Sequence, residues 1–227
     1  MKIFVVIPAF NEEKRIAQVL TELSNFSYQV VVVDDSSSDK TSQVASQFQV
    51  AVLQHKINRG QGAALRTGTD YAISKAADII VHFDADGQFL VKEIKKIIEP
   101  LEKSEAEIVF GSRFLDIKSD IYFFKKNFIL PTARIINFLF FNIKTSDPQN
   151  GFRAFLATVA PKITINQDGG AHCSEILAKA FHNKLKWKEV SVTVLYKRFG
   201  QSLFASRGRG QSGFQIFEDF LFSKLIK

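Results

Sequence analysis

Cysteine is almost absent. Cys173 is the one cysteine in 227 residues, so no intrachain disulfide can form, which fits a reducing compartment. Histidine is scarce as well, and His55, His82, His172 and His182 show no metal-ligand spacing. Cys173 lies beside His172 but has no oxyanion-hole motif and no placed third partner, so a covalent nucleophile has no support. Long apolar runs are missing: none approaches the roughly 20 residues of a membrane-spanning helix. The opening run Lys2 to Pro8 is too short for a signal core and meets Asn11-Glu12-Glu13 at once, so it reads as a first strand. No Gly-rich phosphate loop follows that strand, which argues against a nucleotidyltransferase. No early basic run with interleaved aromatics is present, which argues against nucleic acid as a partner. Acid is short relative to base, with 23 Asp and Glu against 30 Lys and Arg, net +7. That balance favours an anionic partner such as a phosphorylated substrate or anionic lipid.

What remains has the composition of a globular protein, 46% hydrophobic and 23% charged, with enough chain for one sizeable core. We read one domain over 1–227, with a nucleotide-binding half at 1–111 and an acceptor half at 112–227. In the first half, apolar runs at 3–7, 30–33, 50–53, 79–83 and 107–110 alternate with segments of helical periodicity such as Ile16, Val19, Leu20 and Leu23. Alternation of this kind predicts an α/β fold with a mostly parallel central sheet flanked by helices. Polar residues follow each strand: Asn11-Glu12, Asp34-Asp35-Ser36, Asn58-Arg59-Gly60 and Asp84-Ala85-Asp86. In a parallel sheet these positions share the carboxyl edge, where such folds bind ligands.

Asp84-Ala85-Asp86-Gly87-Gln88 carries the most chemistry. Two carboxylates at i and i+2 past a buried strand offer hard oxygen ligands for Mg²⁺ or Mn²⁺, ions that usually also hold substrate phosphates. The same residues also suit an ordinary turn. After the second strand, Ser38 or Asp39 serves as an N-cap. Asp35 has no capping task and is placed to accept hydrogen bonds from a base or ribose.

The second half reads differently. Residues 121–143 carry many Phe, Ile and Leu, interrupted by Lys125, Lys126, Pro131 and Arg134, and predict two amphipathic helices. A terminal amphipathic helix is predicted over 213–227, from Phe214, Phe217, Phe220, Leu221 and Leu225. These helices suit either a bilayer interface with lipid headgroups over the basic residues, or packing on the domain body or a second subunit. Between them, Tyr196-Lys197-Arg198 and Arg207-Gly208-Arg209-Gly210 form a basic, Gly-containing stretch. It is either a loop that closes over a diphosphate or a solvated linker.

Three motifs in order, Ile7-Pro8-Ala9-Phe10-Asn11-Glu12-Glu13, Val33-Asp34-Asp35-Ser36-Ser37-Ser38-Asp39 and Asp84-Ala85-Asp86-Gly87-Gln88, resemble the family 2 glycosyltransferases of the GT-A fold. Asn58-Arg59-Gly60-Gln61-Gly62, Gly111-Ser112-Arg113-Phe114, Ser146-Asp147-Pro148-Gln149-Asn150-Gly151-Phe152-Arg153 and Ser174-Glu175 narrow the resemblance. They are similar to the dolichyl-phosphate mannose synthase-like branch, which makes polyprenyl-phosphate sugars. The resemblance runs over about 3–200. It implies that Pro8, Phe10 and Glu12 border the base and ribose, that Asp35 holds the base, and that Asp84, with Ala85, faces the ribose or diphosphate. It further implies that Asp86 binds Mg²⁺ or Mn²⁺ with Gln88 as an additional ligand, and that Arg113, Arg134 and Arg153 meet the acceptor phosphate or the donor. Asp86, Asp147 and Arg153 form the implied catalytic set, and Glu175 borders the acceptor side. Phe89-Leu90 departs from the His and Pro common at this point in relatives.

The implied reaction is an inverting transfer from a UDP- or GDP-sugar. A lipid phosphate acceptor is already an anion and needs no general base. A hydroxyl acceptor, as in cell-surface polysaccharide synthesis, needs a carboxylate, with Asp147 first and Glu175 second. A catalytically silent nucleotide-sugar-binding module is the third reading. Relatives often continue into transmembrane helices. This chain is expected to be cytoplasmic and peripheral, reaching the membrane surface by its amphipathic segments, by a membrane-protein partner or as a homo-oligomer. Which of Lys197, Arg198, Arg207 and Arg209 meet the diphosphate stays open.

Overall fold

A computed structural model of the chain describes residues 1–115 and 145–195. The amphipathic segments expected at 121–143 and 213–227, and the cations Arg134, Lys197, Arg198, Arg207 and Arg209, lie outside the described residues. The elements are β1 (Ile3–Ala9), α1 (Ile16–Leu23), β2 (Gln29–Asp34), α2 (Thr41–Ala45), β3 (Ala51–Gln54), α3 (Gln61–Ser74), β4 (Ile79–His82), α4 (Ile94–Glu102), β5 (Ile108–Ser112), β6 (Arg153–Leu156), α5 (His172–His182) and β7 (Trp187–Ser191).

The seven strands form one sheet in the order β3-β2-β1-β4-β6-β5-β7. β1, β2, β3 and β4 pair in parallel; β6 runs antiparallel to both β4 and β5, and β7 is parallel to β5. The mostly parallel sheet is as expected. The reversed strand at its centre is not, because its four residues open on a charged arginine.

Both faces are covered, so the central strands are continuous apolar runs rather than alternating ones. Val5, Ile7, Val30, Val32 and Val81 face one side, with Ile16, Val19, Leu20 and Leu23 of α1 and Ile94, Ile97, Ile98 and Leu101 of α4. Phe4, Val6, Val31, Val33 and Ile80 face the other, with Ala64, Leu65 and Ala72 of α3 and Ile176, Leu177 and Ala180 of α5. Burial of the Val, Ile, Leu and Phe side chains among these, each worth about 1.5–3 kcal/mol, is the main force holding the layers together. Gly68 lets α3 lie close on the sheet: a Cβ there would stand 2.3 Å from Val6 Cγ1.

Candidate active site

The carboxyl ends of β1, β2, β3 and β4 open on one edge, and the loops leaving them are bonded to one another. After β1, Asn11 takes a positive φ of 56°. Its N–H donates to Ser37 Oγ (2.9 Å) and its Oδ1 accepts from the Ser38 N–H (2.9 Å). The Glu12 N–H donates to Thr41 Oγ1 (2.8 Å). Asp39 accepts from the Thr41 N–H (3.0 Å), one residue before Lys40, which takes the N-cap position of α2 in place of the expected Ser38 or Asp39.

The carboxylate of Asp35 is buried and bonded within the chain. Its Oδ1 accepts from His55 Nδ1 (2.6 Å) and the Arg59 N–H (3.0 Å), and its Oδ2 from the N–H groups of Arg59 (3.1 Å) and Gly60 (2.6 Å). Three donors from within the chain thus reach a group with about four acceptor positions, where the expectation was a carboxylate turned to a base. Asp35 organises the Asn58-Arg59-Gly60 turn. Pro8 is also buried, inside β1 opposite Val33 and past the last β1–β4 pair, where its missing N–H is tolerated. Of the residues expected to border a base, Phe10 is the open one, 47% exposed at the end of β1.

Beyond β4, Asp84 Oδ1 accepts from Gln61 Nε2 (2.9 Å), and Gly151 lies so close that a Cβ would stand 3.1 Å from Asp84 Oδ2. Gly87, at φ 72°, turns the chain so that the Gln88 N–H reaches Asp86 Oδ1 (2.9 Å). Ala85 is buried in the core beneath. The Gln88 carbonyl accepts from the Leu195 N–H (2.9 Å), and Phe89 bridges Val194, so the Phe89 departure fills an apolar seat under the turn. Gln61, at the start of α3, and Arg15, before α1, are site residues to which sequence reasoning gave no role. Arg15 Nη1 lies 3.2 Å from Glu12 Oε2.

Three carboxyl groups share this edge, and each is pushed toward its neutral form. Burial raises Glu12 to about 7, aided by the charges of Asp86 and Asp39 and opposed by Arg15. Burial and the Asp86 charge raise Asp84 to about 7. Burial raises Asp86, opposed by the Gln88 N–H and Arg15. Like charges crowded out of water resist joint ionisation, and a cation among them relieves it. The donor set therefore fits a divalent ion held by one or two carboxylates and completed by substrate oxygens.

Asp147 and Arg113 are brought together, and this revises both expectations. Arg113 Nε and Nη2 donate to Asp147 Oδ2 and Oδ1 at 2.5 Å each, and the Arg113 N–H donates to Oδ2 (3.1 Å). Asn150 Nδ2 adds a fourth bond to Oδ2 (3.1 Å), and Asp147 is 4% exposed. Asp147 is thus the anchor that ties the 146–150 turn to the end of β5, rather than a carboxylate open to a hydroxyl proton. Glu175 is likewise occupied, accepting from the N–H groups of Asn166 and Gln167 and from Lys179. Arg153 is placed at the start of β6 with only 1% exposure, bonded to the carbonyls of Gly151 (3.2 Å) and Asn150 (3.0 Å).

A cavity of about 250 Å³ opens elsewhere, between α3 and the turn at Ala157–Ile163, lined by Arg66, Thr69, His82, Phe155 and Ile176 among others. It holds none of Glu12, Asp84 and Asp86, and so lies apart from this edge.

A mostly parallel sheet with acidic loops at its carboxyl edge is a ligand-binding arrangement of open α/β proteins, and its match to solved structures makes it the GT-A glycosyltransferase fold. Glucosyl-3-phosphoglycerate synthase from Mycobacterium tuberculosis, crystallised with Mn²⁺, uridine diphosphate and phosphoglyceric acid, superposes with a TM-score of 0.65 at 19% identity. That match covers 85% of this chain and 69% of that one. The profile of Glycosyl transferase family 2 matches residues 4–164, and the chain belongs to that family. It is 32% identical to a UDP-N-acetylglucosamine–dolichyl-phosphate N-acetylglucosaminyltransferase of Methanococcus voltae, over 99% of this chain and 97% of that protein. It is 30% identical to the dolichol-phosphate mannosyltransferase of Pyrococcus furiosus, over 96% of this chain and 61% of that protein. Among the described residues no helix is long and apolar enough to cross a membrane.

Proposed function

We propose that this glycosyltransferase moves a sugar, with inversion, from a nucleoside-diphosphate sugar to a polyprenyl phosphate. The relatives named for dolichyl-phosphate acceptors support the acceptor class. The observation that carries it is the occupation of Asp147. With both its oxygens held by Arg113 and Asn150, and Glu175 tied to a turn, neither expected general base is open to a hydroxyl. A phosphate monoester anion attacks the anomeric carbon without giving up a proton, so no base is required.

Asp86 and Gln88 would hold Mg²⁺ or Mn²⁺, which supplies charge stabilisation to the departing nucleoside diphosphate. The chain's own residues do the rest. Phe10 offers an exposed ring for the base, and Glu12, beside Arg15, feels the charge of Asp86. Gln61 orients Asp84, whose second oxygen is left for the donor by the absent side chain of Gly151. The Gln88–Leu195 bond ties the last described residue to this edge, and Lys197 and Arg198 come two and three residues later in the sequence. We assign these two, ahead of Arg207 and Arg209, as cations for the leaving diphosphate. Arg134 is assigned to the acceptor phosphate, and the basic amphipathic segments to an anionic membrane surface.

The test is transfer from a panel of UDP- and GDP-sugars to a short polyprenyl phosphate with Mn²⁺ or Mg²⁺. We expect lipid-linked product that disappears with chelator and falls at least about 100-fold in Asp86→Ala. Donor hydrolysis without lipid product moves the acceptor to a glycan hydroxyl. Failure to bind any nucleotide sugar with metal removes the enzyme reading.

A further inference from the structure

We propose that Cys173 is a buried thiolate, the counter-anion of Arg153, and that the pair is a positioning device for the Asn150-Gly151 turn behind Asp84. The starting point is an unbalanced charge. The Arg153 guanidinium is 1% exposed and keeps its proton under all ordinary conditions. A buried cation needs an anion or a dense set of acceptors. Among the described residues its hydrogen-bond partners are the carbonyls of Gly151 and Asn150 and the sulfur of Cys173, at 3.0 Å from Nη2, with no carboxylate.

The sulfur has a second cationic neighbour. Cys173 Sγ lies 3.4 Å from His172 Nε2, and His172 Nδ1 lies 2.9 Å from the Gly169 carbonyl. A carbonyl only accepts, so Nδ1 carries a hydrogen, and Nε2 is the nitrogen that takes the thiol proton. The S–H bond breaks, an N–H bond forms on Nε2, and the result is a thiolate between a guanidinium and an imidazolium. Burial alone would raise the Cys173 thiol; the charges and hydrogen bonds of His172 and Arg153 overcome it and bring it down to about 6. Burial likewise opposes the imidazolium, and the neighbouring sulfur raises His172 above its ordinary value.

Among the described residues, the other charged or titratable groups around the sulfur are few. His82, on β4, is kept neutral by burial and by the Arg153 and His172 charges. Asp84, past the end of β4, feels the Cys173, His172 and Arg153 charges, but its Oδ1 is bonded to Gln61. Glu175, two residues on in α5, is bonded to Asn166 and Gln167. Cys173 is 7% exposed and bonded to Arg153 and His172, so the task we give it is to hold Arg153. Arg153 in turn holds both carbonyls of the turn that carries Asn150 to Asp147 and Gly151 against Asp84. That last consequence rests on the proposed transfer site; the thiolate does not.

With a single cysteine, the ultraviolet absorbance of the thiolate reports this group alone. The folded full chain is titrated from about pH 9 down to about pH 4, with Cys173→Ala as the blank. We expect the thiolate signal to persist at neutral pH and vanish through about pH 6. The urea-unfolded chain should titrate near the ordinary thiol value of roughly 8.5, and Arg153→Met should move the folded titration upward. A folded wild type that titrates at or above the ordinary value overturns the proposal, even where Arg153→Met does not fold. Loss of the transfer reading would leave this titration unchanged, and an ordinary thiol with transfer intact would overturn only the present inference.

Discussion

Asp147 shows how a single carboxylate changes meaning once its neighbours are known. In sequence it is an acid before a proline, as suited to a turn as to proton abstraction. In space it receives two 2.5 Å bonds from the Arg113 side chain and one from Asn150. Removing one charge of a buried ion pair costs roughly 3–5 kcal/mol, so Asp147→Asn should lower the unfolding free energy by that order, read as a lower urea midpoint at unchanged slope. A variant of wild-type stability that had merely lost turnover would return Asp147 to the role of general base. Asp35 carries the same lesson. Its partners His55, Arg59 and Gly60 lie 20 to 25 residues away, a distance at which no motif announces a hydrogen bond. Asp84 and Asp86 were legible because their placement depends only on the buried strand just before them.

At the scale of elements, β1, β2, β4 and β5 were legible because a strand covered on both faces must be apolar throughout, and even β3, half-buried at the sheet edge, keeps a short apolar run. β6 and β7 were not. β6 has four residues and begins with Arg153, whose charge is answered by Cys173 and two carbonyls rather than by solvent. β7, Trp187–Ser191, is an edge strand with Lys188 exposed, as edges that avoid pairing require. The junction between α3 and the segment before α5 was equally hidden. The Asp168 carbonyl accepts from the N–H groups of Gly62 (2.7 Å) and Ala63 (3.2 Å), closing the start of α3 that would otherwise suit a phosphate. This close approach explains the glycine: a Cβ at Gly62 would stand 2.0 Å from the Gln167 carbonyl oxygen, a backbone atom that cannot swing aside. Gly62→Ala should therefore cost about 1–3 kcal/mol and loosen the Gln167-Asp168 strap. Hydrogen exchange at the Gly62 and Ala63 amides should rise above that of the α3 interior. Unchanged protection there would mean that Asp168 does not cap the helix.

For the whole molecule, the crowded carboxyl groups make stability, pH and metal parts of one balance. Glu12 and Asp84 are both raised to about 7, from ordinary values of 4.5 and 3.8. Between those limits the folded chain holds protons that the unfolded chain has released. Stability of the metal-free protein therefore falls as pH rises from about 4 to about 7, and this contribution is flat above. A divalent cation among the same groups competes with those protons and stabilises the folded state by mass action. The rise in melting temperature on adding Mn²⁺ should accordingly be small near pH 5, grow up to about pH 7 and level off beyond. Asp86→Ala should flatten the metal-free pH slope, because the Asp86 charge helps to raise both Glu12 and Asp84. The same variant should also lose the metal-induced shift. Melting curves over this pH range, with and without Mn²⁺, check both signs at once. A metal shift independent of pH, or one that survives in Asp86→Ala, would place the cation away from this edge and remove the electrostatic basis for a metal held by Asp86 and Gln88.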